Sequence, residues 1–76
     1  MSSAIVQPIQ ITYLRSMMGI GKIEFGRQMG VNRVTVHFWE TGERNPSKTA
    51  VILMQLLASN HHIDIPAPED IMEVEE

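Results

Sequence analysis

An all-α fold of four or five short helices is what this 76-residue sequence predicts, on three observations. Apolar residues recur at helical spacing in separate blocks: Ile11, Leu14 and Met18, then Phe25 and Met29, then Val36 and Trp39. Glycines 19, 30 and 42 follow these blocks, where a helix stops on a left-handed residue. Asn32 and Ser47 stand just ahead of the third and fourth blocks, as capping residues do. A chain of this length is one domain, near the size at which a single core only just suffices. It has no cysteine, so neither a disulfide framework nor a thiolate zinc site adds to that core.

Taken in order, Met1 to Gln7 is polar and small and reads as a loose arm. The first helix is expected over residues 8 to 18, because Pro8 needs no backbone donor in a first turn and Gly19 provides the stop. The second spans residues 22 to 29 and begins at Gly21, a weaker cap than Ser or Thr. Gly26 in its middle costs about 1 kcal/mol relative to alanine, which a close helix crossing at that point would explain. Gly30 then supplies the left-handed residue of a tight turn, Val31 plugs the core, and Asn32 caps a third helix that ends at Gly42. Glu43 to Pro46 is a polar loop, and Ser47 caps a fourth helix over residues 48 to 59. That helix is apolar nearly all round, from Ala50 to Ala58, and such a helix should be buried on every side. A partner surface is therefore implied. Beyond it, Ile63-Asp64-Ile65 alternates like a very short strand until Pro66 and Pro68 interrupt, and residues 69 to 76 can form one frayed turn around Ile71, Met72 and Val74.

The net charge of −3 hides a division. Residues 1 to 62 hold all six cations against three anions, whereas residues 63 to 76 hold six anions and no cation. The mildly basic body, a domain over residues 1 to 62, leaves nucleic acid open as a partner. The acidic tail over residues 63 to 76 reads as a solvated end, or as a segment that folds over the positive surface and competes with DNA. His37, His61 and His62 lack metal-ligand spacing, so no metal and no cofactor is expected. No nucleophile sits in a base-activated setting and no carboxylate pair suggests a pocket, so the chain is not expected to be an enzyme. No apolar run nears the roughly 20 residues that span a bilayer, and no secretory signal is apparent. A cytoplasmic location is the default.

The third helix has two faces. At about 100° per residue, Val36 and Trp39 fall on one side with Thr35 and Glu40 at its edges, while Arg33, Val34, His37, Phe38 and Thr41 gather on the other. One face can be buried while the other offers a cation, hydrogen-bonding groups and apolar tips. A short helix propped outward by a glycine turn is an element that fits the major groove of DNA.

Leu14-Arg15, Gly19-Ile20, Phe25-Gly26-x-x-Met29-Gly30-Val31 and Trp39-Glu40-x-Gly42-x-Arg44-x-Pro46-Ser47 together resemble the phage Cro/repressor-type helix-turn-helix family, often called XRE-like, over residues 9 to 58. The resemblance implies a small lambda-repressor-like domain of four to five helices, with room for a short C-terminal strand or extended segment, and homodimeric repression of transcription at a pseudo-palindromic operator. Position by position, it implies base contacts from Arg33, Val34 and Phe38. It implies backbone contacts from Lys22, Asn32, Thr35, His37, Arg44 and Asn45, with Lys48 joining them at a helix N-terminus. Arg15 and Glu40 match an ion pair that holds the reading helix. Lys22 stands where the family usually has a bracing Gln, and would act as a mobile point charge instead. Phe38 replaces a common polar reader, so it would touch a thymine methyl or dock a protein. Leu53, Leu56, Leu57, Ile63 and Ile65 are the expected dimer interface, to which the tail can contribute. A second reading stays open: an antitoxin or antirepressor that uses the same fold to bind a protein partner such as a toxin.

Overall fold

A computed structural model describes residues 4–71. It contains four helices, α1 (Pro8–Met18), α2 (Lys22–Met29), α3 (Arg33–Thr41) and α4 (Lys48–Asn60), then a single 3₁₀ turn, Pro68–Asp70. No strand occurs among the described residues. The all-α class and the first three helices are as the sequence predicts, and α4 runs one residue further. None of the described helices is long and apolar enough to cross a membrane.

Local chemistry accounts for the helix ends. Asn32 Oδ1 accepts the Thr35 N–H at 2.9 Å and Ser47 Oγ accepts the Ala50 N–H at 3.1 Å, so α3 and α4 each have one of their orphan donors capped. Gly21 starts α2 with no side-chain cap. At the other end of α2, Gly30 takes φ +76°. The Gly30 N–H then reaches the Arg27 carbonyl at 3.3 Å and the Val31 N–H reaches the Gly26 carbonyl at 2.8 Å, a Schellman closure. α4 closes in the same manner without a glycine: His62 takes φ +57°, and the Ile63 N–H bonds the Ala58 carbonyl at 2.8 Å.

The core draws on every helix and on both flanking segments. Ile11 and Leu14 of α1, Phe25 and Met29 of α2, Val36 and Trp39 of α3, and Met54 and Ala58 of α4 are buried together with Ile5 and Ile65. α3 packs on α1 and α2, and α4 packs on the same pair from elsewhere in the bundle.

Three expectations need correction. The N-terminal arm is not loose over its described part: Ile5 lies in the core, and Gln10, 0% exposed, binds the arm through its side chain. Residues 63–67 form no strand, and Ile65, at 1% exposed, is a core residue of its own chain and unavailable to an interface. Its chain direction is set by Gln10 as well, whose Nε2 donates to the Pro66 carbonyl at 3.0 Å. The close approach at Gly26 is real but involves no helix crossing. A Cβ there would lie 2.6 Å from the Val31 carbonyl oxygen and 3.3 Å from the Asn32 carbonyl carbon, so it is the α2–α3 turn that presses on the glycine.

The surplus apolar surface of α4 is also narrower than its composition implies. Met54 and Ala58 are buried, and Ala50, Val51, Leu53 and Leu57 are partly covered by the chain's own core. Ile63 is half-buried against the same core. Leu56 is 56% exposed, and Ile52, one turn earlier and absent from the expected interface, is 50% exposed. The expected turn around Ile71 begins instead at Pro68, and its Met72 and Val74 lie outside the described residues.

Candidate nucleic-acid interface

The outer face of α3 is held in place by an ion pair. Arg15 of α1 donates through Nε to Glu40 Oε2 at 2.7 Å and through Nη2 to Oε1 at 3.1 Å. Its Nη1 donates to the Ile20 carbonyl at 3.1 Å. One side chain therefore ties α3, α1 and the α1–α2 turn together. Hydrogen bonding to Glu40 raises the Arg15 pKa above its ordinary value despite the opposing effect of burial, so the guanidinium stays charged throughout. A two-pronged, partly buried pair fixes orientation better than an exposed one. Its consequence is directional: with Val36 and Trp39 buried beneath, α3 has little freedom to roll.

On the opposite face the side chains expected to meet DNA lie in a sequence of contacts. Lys22 at the start of α2 brings Nζ within 3.2 Å of His37 Nδ1. An ammonium can only donate, so in this contact Nδ1 is the acceptor. This exposed contact joins the start of α2 to the outer face of α3. The His37 ring lies 6.3 Å from that of Phe38, tilted by 49°. The Arg44 guanidinium lies over Phe38, 5.4 Å from the ring centroid. Phe38 is half-buried, His37 and Arg44 are exposed, and Val34 is 46% exposed.

Arg33 occupies the first position of α3 and is exposed. Asn32 spends Oδ1 on the cap, which leaves its amide nitrogen as the group able to meet an anion. Thr35 is half-buried, whereas Asn45 and Lys48 are exposed, in the loop and at the start of α4. Among the described residues, Lys22, Arg33, Arg44 and Lys48 have no carboxylate partner; Arg27 pairs with Glu24 at 3.4 Å. Three of the four unpaired cations open a helix, at the positive end of its dipole. Neither α3 nor α4 has an acid in its first turn. Such placement costs a few tenths of a kcal/mol each in stability and favours an arriving anion.

Gln10 escaped the sequence reading, although its place at the third position of α1 is where a Gln or Glu reaches back to the cap backbone. Phe38 and Arg44 are each candidate contact residues in the sequence, with nothing there to join them. No periodicity reveals that the loop returns the guanidinium over the ring. No protein-family model matches this chain, and no curated protein is significantly similar to it.

Proposed function

We propose that this chain is a sequence-specific double-stranded DNA-binding regulator of the Cro/repressor type, acting as a homodimeric repressor, or autorepressor, of a short prokaryotic or phage operon with an inverted-repeat operator. The observation that carries the reading is an exposed α3 face, its orientation locked by Arg15 and Glu40, that has Arg33 at its first position and meets Lys22 at His37 and Arg44 at Phe38, none of the three having a carboxylate partner among the described residues. A duplex offers a row of phosphates to such a set. Lys22, Arg44, Asn45 and Lys48 supply affinity, joined by Asn32, Thr35 and His37 on the backbone. Arg33 supplies sequence choice by forking onto guanine O6 and N7, and Val34 adds apolar contact with a thymine methyl.

Arg33→Ala should keep the fold and lose operator discrimination by about 1–3 kcal/mol per half-site, or roughly 5- to 150-fold. Gel-shift titration on operator and scrambled duplexes, with circular dichroism as the fold control, measures it. Unchanged preference for the operator would remove Arg33 from the mechanism.

The exposed Ile52 and Leu56 support the dimer, since an apolar strip along one helix suits a two-fold contact. Sedimentation equilibrium at tens of micromolar should report twice the monomer mass, and Leu56→Asp should halve it. A monomeric parent protein would overturn the symmetric-operator reading. The same strip favours the second reading, a protein-interaction module of antitoxin or antirepressor type. Salt-sensitive binding to duplex DNA separates the two, because a pure protein-binding module would show none.

A further inference from the structure

Phe38 and Arg44 form a unit that the reading of α3 as a base-contacting helix does not use. The Arg44 guanidinium sits over the Phe38 ring at 5.4 Å, and the backbone repeats the connection: the Arg44 N–H donates to the Phe38 carbonyl at 3.2 Å. The Thr41 hydroxyl donates to that same carbonyl at 3.3 Å and accepts the Glu43 N–H at 3.4 Å, fastening the chain between ring and arginine. The nearest carboxylate in sequence, Glu43, lies 3.2 Å from the Thr41 hydroxyl, where it competes with the Phe38 carbonyl for the single hydroxyl proton, and forms no ion pair with Arg44. The ring also lies 6.3 Å from that of His37.

Resting on the DNA-binding reading, we propose that Phe38 is a positioning residue: its ring presets Arg44 as a clamp for a phosphodiester oxygen pair, and Phe38 itself reads no base. The physical reason is division of labour within the guanidinium. Its charge is attracted to the ring without using any N–H on a hydrogen-bond acceptor there, so the N–H donors stay available to fork onto an anion. A free surface arginine must lose rotamer freedom when it binds phosphate; one already held over a ring has lost part of it beforehand. Sequence choice then falls on the first turns of α3, at Arg33 and Val34. The end of the helix sets register on the backbone.

The test uses the full chain with Phe38→Leu, which keeps apolar volume without a π face, together with Arg44→Ala and the double variant. In the unbound protein, the ring current should shift the Arg44 side-chain protons upfield, and Phe38→Leu should return them to ordinary values. On a random-sequence duplex, Phe38→Leu should bind about three-fold more weakly than the parent at low salt. In an Arg44→Ala background it should cost nothing further. Replacing operator thymines by uracil should affect parent and Phe38→Leu alike. Unshifted Arg44 protons in the parent, an equal loss in both backgrounds, or a uracil effect confined to the parent would each overturn the proposal. A parent that binds no duplex, with the Arg44 protons still shifted, would instead overturn the DNA reading and take the phosphate role of the clamp with it.

Discussion

Replacing Gln10 by leucine is expected to lower stability by about 3 kcal/mol, although leucine suits a buried helix position in size and propensity. The Gln10 side chain uses all four of its hydrogen-bonding positions. Oε1 accepts from the Val6 N–H at 2.6 Å and from the Gln7 N–H at 3.0 Å, while Nε2 donates to the Ala4 carbonyl at 2.9 Å and the Pro66 carbonyl at 3.0 Å. Leucine would leave four backbone groups without partners, at about 1–3 kcal/mol for each that stays buried. The cheaper outcome is for the arm and residues 63–67 to peel away into water, which uncovers Ile5 and Ile65 and forfeits roughly 1.5–3 kcal/mol of burial for each fully exposed side chain. Urea unfolding would measure the loss, and hydrogen exchange at Val6 and Gln7 would show whether the arm had lifted. A variant within about 0.5 kcal/mol of the parent, the usual range of a surface substitution, would mean that the clasp contributes nothing.

Gly26→Ala is the second large effect. By helix propensity alone it should stabilise α2 by about 1 kcal/mol. The added methyl, however, would stand 2.6 Å from the Val31 carbonyl oxygen, with the Asn32 carbonyl group at 3.3–3.4 Å, and both obstacles are backbone. No rotamer change relieves that contact. The turn must move, and it carries the Val31–Gly26 hydrogen bond and the Asn32 cap of α3. Overpacking of this kind costs about 1–3 kcal/mol and can exceed it, and the lost closure adds to it, so a net loss of about 2 kcal/mol is expected. Gly21→Ala provides the contrast: φ there is −84° and a Cβ would meet nothing within 4 Å, so no steric loss is expected, only the roughly 0.5–1 kcal/mol by which alanine is the poorer N-cap. Thermal unfolding of the two variants should separate them by several degrees in a domain of this size. Equal midpoints would show that the turn yields freely. On the DNA-binding proposal, Gly26→Ala should also weaken operator binding even well below its unfolding midpoint, since α3 is tilted by its own turn.

The helices themselves were legible in the residues, because each is specified by neighbours a few positions apart. Asn32 and Ser47 bond to N–H groups three residues on, and glycine tolerates the left-handed stops at 19, 30 and 42. The two faces of α3 were legible for the same reason, since Val36 and Trp39 recur at helical spacing. The Arg15–Glu40 pair spans 25 positions, and only its resemblance to a family pattern suggested it; the bidentate geometry belongs to the tertiary structure. Long-range packing decided the rest. Whether Ile65 joins a strand or a core depends on long-range packing, part of which is the Pro66 carbonyl meeting Gln10 from 56 positions away. How much of α4 is left bare depends on which of its sides α1 and α2 cover, a matter that composition cannot express. The seat of Arg44 over Phe38 depends on the path of a loop. Local pattern determines which segments become helices, because their hydrogen bonds close within a turn; their docking, and the side chains it joins, is a property of the whole chain.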